Sequence, residues 1–118
     1  MRPPSLRPLA AVLVSVLVSP ALAGDPGRFW NLTGETISSL TLAPAGTDQF
    51  GPNQCTNDKD GTVDNDERLR LTNVSPGRYD VRLKFQRSNL QCTLQDVQIK
   101  DGGKVAFSME AKDLKDCR

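Results

Sequence analysis

The sequence predicts an all-β fold: a small antiparallel β-sandwich or barrel of about six or seven strands, preceded by a cleaved signal peptide. Three observations carry this. Apolar residues recur with a period of two in several runs, clusters rich in Gly, Pro and Asp separate those runs, and no long stretch shows a helical stripe. The 118 residues, 37% of them hydrophobic, allow one modest core and one domain.

The first element is an address. Arg2 and Arg7 form a positive start, Leu9 to Val18 is an unbroken apolar run apart from Ser15, and Ala21-Leu22-Ala23 has the small-x-small pattern that signal peptidase reads. The run is far shorter than the roughly 20 residues of a membrane span. Residue 24 is Gly, not the Cys of a lipoprotein. The expected division is therefore a signal peptide over 1–23 and one domain over 24–118, periplasmic or secreted. Losing the two arginines changes the formal charge from +1 to about −1.

The strands follow in order. Ser38, Leu40 and Leu42 alternate weakly, with Ile37 on the opposite face. Leu69 and Leu71 alternate with Arg68, Arg70 and Thr72. Tyr79, Val81, Leu83 and Phe85 alternate with Asp80, Arg82, Lys84 and Gln86, as a half-buried strand must. Leu90, Cys92 and Leu94 share one parity and Val97 and Ile99 the other, which predicts a bulge near Gln95-Asp96. Asp101-Gly102 predicts a hairpin into the run Val105, Phe107, Met109. A short helical turn is expected within Ala111 to Cys117.

Three cysteines in an oxidising compartment point to one bridge. Cys92–Cys117 is the favoured pair, because it ties the chain end to a strand and closes a loop of about 25 residues, worth roughly 3 kcal/mol. Cys55 is left free, paired with a partner chain, or paired with one of the other two. The absence of histidine removes Ser-His-Asp and Cys-His catalysis and imidazole metal ligation. No G-x-S-x-G elbow or Gly-rich phosphate cradle stands in the sequence. A non-enzymatic protein is the expectation.

The longest irregular segment carries an acidic run that fits a twelve-residue calcium loop over 56–67. Asp58, Asp60, Thr62, Asp64 and Glu67 take the ligand positions, and Gly61 takes the sharp turn. Position one is Thr56 where the pattern wants Asp, and a strand follows Glu67 where an EF-hand needs a helix. A solvated acidic loop is the expected reading; Ca2+ binding is the alternative.

Arg68, Arg70, Arg82 and Lys84 lie on the outward parity of two strands. If those strands pair, they gather a basic patch fit for an anionic polymer such as an envelope polysaccharide. The plain alternative is a face kept soluble and guarded at its edges. The near-neutral charge offers no general attraction for nucleic acid. Phe29 and Trp30 read as core, with ligand stacking as the alternative. Asn31-Leu32-Thr33 fits an N-glycosylation acceptor, and Asn73-Val74-Ser75 does too but is followed by Pro76.

Residues 31–46 contain N-x-T-G, then I-x-x-L, then a P-x-G turn, followed by Phe50-Gly51. With Tyr79 to Leu83, Cys92 and Asp96-Val97, these motifs resemble a group of small exported bacterial β-sandwich proteins of unassigned function. The resemblance implies an exported sandwich and carries over no catalytic residue. The acidic insert over 57–66 is longer than the connection usual in that group. The functional expectation is an exported binding or interaction module of the cell envelope. A calcium-binding β domain and a periplasmic inhibitor or immunity protein are the alternatives.

Overall fold

A computed structural model describes residues 27–100 and 104–118. The expected signal peptide over 1–23 lies outside the described residues. Six strands form: β1 (Arg28–Leu32), β2 (Ile37–Pro44), β3 (Arg68–Arg70), β4 (Gly77–Phe85), β5 (Gln91–Ile99) and β6 (Phe107–Glu110). They make two three-stranded sheets, ordered β3-β1-β6 and β2-β4-β5, and neither closes into a barrel. Short 3-10 turns occupy Gln54–Asn57 and Ala111–Asp113, the second within the segment expected to turn. Among the described residues no helix is long and apolar enough to cross a membrane.

The core lies between the sheets. Phe29, Leu69, Phe107 and Met109 from one sheet meet Leu40, Leu42, Val81, Leu83, Phe85, Cys92 and Ile99 from the other. Phe29 and Phe107 pack with ring centroids 4.9 Å apart and tilted planes. The period-two runs thus turn their apolar side inward, because successive residues of a strand face opposite ways.

Two bulges adjust the parity. The register slips between Ile37 and Ser39, so Ile37 pairs with Phe85 and Ser39 with Lys84. The extra residue, Ser38, lets Ile37 bury on the same side as Leu40 and Leu42, where the alternation alone put it on the opposite face. The second slip falls where the sequence predicts it. Tyr79 pairs with Val97 and Val81 with Leu94, leaving three steps on β5 against two on β4. Asp96 adopts φ 58°, and the buried Asp80 carboxylate accepts its N–H at 3.0 Å. The other oxygen of Asp80 accepts from Gly46 N at 2.9 Å, so one side chain secures both the bulge and the turn after β2.

Two pairings differ from expectation. β6 joins β1 in parallel, so the fold is not purely antiparallel. β5 and β6 lie in different sheets, so Asp101-Gly102 does not connect a hairpin; the turn itself is outside the described residues. Phe107 and Met109 still alternate as read. Their partner is β1, because the chain crosses from one sheet to the other after Ile99.

Candidate functional site

The acidic loop is built around a strand edge. Val63 forms a two-way bridge with Ile37, N–H to C=O at 2.9 Å in each direction. Asn53 lies next along β2: its Oδ1 accepts from Leu40 N at 2.9 Å and its Nδ2 donates to Ser38 O at 3.2 Å. Gly51 N then donates to Leu42 O at 2.9 Å. The free edge of β2 is thereby paired from end to end by a loop with no regular strand of its own, which removes a template for edge-to-edge association.

Val63 is held extended at the centre of the loop, with acidic residues in separate turns on either side. Asp58 Oδ1 accepts from Asp60 N at 3.2 Å in one turn. In the other, Glu67 Oε1 accepts from Asp64 N at 2.7 Å, and Asp64 Oδ1 accepts the Thr36 hydroxyl at 3.0 Å. Thr62 lies between them, half-buried beside Val63. Among the described residues no group of three or more acidic or thiol side chains is gathered as a metal would require. Asp58, Asp60, Thr62, Asp64 and Glu67 thus lie along the loop on either side of the Val63 bridge, with Gly61 turning at φ 74° between them.

Asn31 explains the N-x-T-G motif. It is fully buried; its Nδ2 donates to Glu35 O at 2.8 Å and Val63 O at 3.0 Å. Its Oδ1 accepts from the Thr33 N–H at 3.0 Å and the Thr33 hydroxyl at 2.7 Å. Gly34 turns at φ 93° and donates its N–H to Asn65 Oδ1 at 2.8 Å. The acceptor pattern is thus a latch joining the β1–β2 turn to the long loop, and the amide that a glycan would need is enclosed.

The basic residues divide. Arg68 and Arg70 belong to β3 in one sheet, Arg82 and Lys84 to β4 in the other, so the pairing that would gather one basic patch does not occur and the cations lie on opposite outer faces. On the first face Arg28 stands directly across from Arg70, and Trp30 across from Arg68. The Arg68 guanidinium lies 4.0 Å from the Trp30 ring centroid, and the indole N–H donates to Asp66 Oδ1 at 3.0 Å. Three arginines and an indole thus fill a two-by-two grid in which Arg28 and Arg70 are exposed like charges. Phe29 is core as expected, whereas Trp30 faces outward.

On the second face Arg82 sits between Thr41 of β2 and Thr93 of β5, and Lys84 between Ser39 and Gln91. The Arg82 guanidinium lies 3.9 Å from the Phe50 ring centroid, and its Nε is buried without a hydrogen-bond partner. The single ion pair among the described residues, Arg78–Asp96 at 3.4 Å, involves neither grid. Arg28 and Phe50 were not read from the sequence as site residues. Arg28 shares the parity of Trp30 and was legible from that spacing, but nothing local brings Phe50 over Arg82.

The disulfide is Cys92–Cys117, as read, and Gln91 and Arg118 exchange N–H to C=O bonds of 3.0 Å beside it. Cys55 is the free thiol. It is enclosed, with its Sγ 3.7 Å from Ile37 O, and burial followed by the Asp58 charge pushes its pKa up to about 12. Its thiol packs within the core, where burial favours the protonated form. A groove of about 530 Å3 lies between β5, β6 and the C-terminal segment, lined by Leu94, Val97 and Met109 among polar neighbours. Compared with known proteins, the chain matches no family model, no curated protein and no solved structure.

Proposed function

We propose that this protein is an exported, non-enzymatic binding module of the cell envelope whose ligand is an anionic, carboxylate-bearing polysaccharide. The observation that carries the reading is the Arg28–Arg70 cross-strand pair. Like charges set directly opposite on a sheet are destabilising, and no acidic side chain forms an ion pair with either arginine among the described residues. Such a pair makes sense where an external anion occupies the space between the two guanidinium groups. Arginine presents a planar fork matched to carboxylates, and the neighbouring Trp30 offers a flat apolar surface for a sugar ring.

The disulfide and the signal-like segment 1–23 support export. Leu90 is the only large hydrophobic side chain exposed among the described residues, which leaves little of the aromatic and aliphatic anchoring that protein partners require. Calorimetry of the protein with polygalacturonate at low salt, with dextran as the neutral control, tests the reading. Binding to the uronate polymer that weakens with salt is expected; equal heats from both polymers, or none from either, overturn it.

A further inference from the structure

The two basic faces point away from each other, and each sets a guanidinium on an aromatic ring: Arg68 on Trp30 at 4.0 Å and Arg82 on Phe50 at 3.9 Å. We infer that the outer face of β2-β4-β5 is a second binding site for the same carboxylate-bearing polymer, so that one molecule bridges two polymer chains. This rests on the polysaccharide reading above.

The second face is built for an oxyanion. Arg82 occupies the central strand, flanked across both neighbours by the hydroxyls of Thr41 and Thr93, and Lys84 lies two residues further along the same face. Side chains spaced by two along a strand stand about 7 Å apart. Neither threonine hydroxyl, nor Arg82, nor Lys84 has a side-chain hydrogen bond or ion pair among the described residues; the Arg82 guanidinium rests on Phe50 alone. The nearest carboxylate along the strand is Asp80, and both its oxygens are engaged by backbone N–H groups of Gly46 and Asp96.

Phe50 restrains the guanidinium plane from one side, which reduces the ordering cost when an anion arrives. The hydroxyls of Ser39, Thr41 and Thr93 and the amide of Gln91 supply neutral hydrogen-bonding groups suited to sugar hydroxyls. Two cations with no ion-pair partner among the described residues match a polymer carrying one charge per sugar. The two sheets of a sandwich pack about 10 Å apart with their outer faces opposed. One chain cannot lie flat on both, so simultaneous occupation joins separate chains.

Light scattering of the purified protein with polygalacturonate tests the bridging, and polymer capture on a sensor surface tests simple binding. The wild-type protein is expected to raise scattering, with a maximum at intermediate polymer and reversal at about 1 M salt, where screening shortens to roughly 3 Å. Arg82→Gln is expected to abolish the scattering while polymer capture through the other face persists. Arg28→Gln with Arg70→Gln is expected to do the same through the second face. Combining all three substitutions is expected to weaken capture at least about tenfold, the loss that follows removal of a charge-assisted hydrogen bond.

Melting temperatures confirm that each variant is folded, and Arg82→Lys serves as the milder second variant, keeping the charge and losing the planar fork. Capture without scattering overturns the bridging and leaves the polysaccharide reading standing. Scattering that survives Arg82→Gln in a folded protein also overturns it. Failure of capture by the wild type removes both, and scattering with polyphosphate but not polygalacturonate overturns the carboxylate assignment.

Discussion

The side-chain amide of Asn53 stands in for a β-strand at Leu40, accepting from the Leu40 N–H at 2.9 Å. The same side chain accepts from Cys55 N at 2.9 Å and donates to Ser38 O, so one residue closes the β2 edge and starts the following 3-10 turn. Asn53→Ala leaves a half-buried N–H unpaired at Leu40. We expect a loss of about 1–3 kcal/mol, read from urea midpoints. Edge exposure should also raise self-association at high concentration, read by sedimentation.

Asn31 makes a second prediction. Its amide spends both donors and receives two hydrogen bonds in a fully buried position. Asn31→Asp replaces two donors by acceptors facing the carbonyls of Glu35 and Val63. It should destabilise the domain more than Asn31→Ala, and the gap should narrow at low pH as the new carboxyl takes up a proton. Thermal melts across pH check both parts. Expression in a glycosylating host should leave Asn31 unmodified in the folded protein, as intact mass would register.

Cys55 sets a pH dependence. Its thiol is held at about 12 in the folded chain against an ordinary value of 9.0, by burial and then by the Asp58 charge. Below pH 9 both states keep the proton and the group adds no slope. Above it the unfolded thiol ionises first, so stability should fall as pH rises from about 9 towards 12. Comparing urea midpoints of the wild type with those of Cys55→Ala isolates this from the lysines and Tyr79, and the variant should show the shallower decline.

Arg28 and Arg70 predict an opposition between stability and binding. Without ligand and at low salt, Arg28→Gln should raise stability by about 0.2–1 kcal/mol by removing a like-charge cross-strand pair. The same substitution should weaken capture of polygalacturonate. Trp30, the one tryptophan of the chain, lies beside this pair, so its fluorescence gives the binding curve directly. A loss of stability together with unchanged capture would contradict the reading.

Calcium supplies the fifth expectation. Among the described residues no three acidic side chains of the loop are gathered, and Asp58, Asp64 and Glu67 already accept hydrogen bonds from Asp60 N, the Thr36 hydroxyl and Asp64 N. Millimolar calcium should leave the melting temperature unchanged, since no gathered carboxylate cluster among the described residues would gain by mass action.

Side-chain parity was legible along the chain because it is a local property. The runs at Tyr79 to Phe85 and Leu69 to Leu71 show which residues enter the core, and the parity change between Leu94 and Val97 locates the β5 bulge. Ile37 was misread because a bulge on β2 costs nothing visible in composition: Ser38 resembles any other outward polar residue. The acidic loop kept two readings open for a related reason. Its Asp, Asn and Gly content fits both a cation frame and a turn-rich edge guard, and its bond from Val63 to Ile37, a contact far apart in the chain, leaves no trace in composition.

The alternation, the turn residues and the composition alone establish a β-rich chain without histidine chemistry, and they favour the Cys92–Cys117 bridge that the structure shows. Which strand lies beside which was decided by the tertiary structure. Strand pairing joins residues far apart in the chain, and the pleat of a single strand carries no record of its neighbour. That is why β6 could be recognised as a strand but not as the parallel partner of β1. It is also why Arg68 and Arg82 have the same outward signature yet end on opposite faces of the molecule.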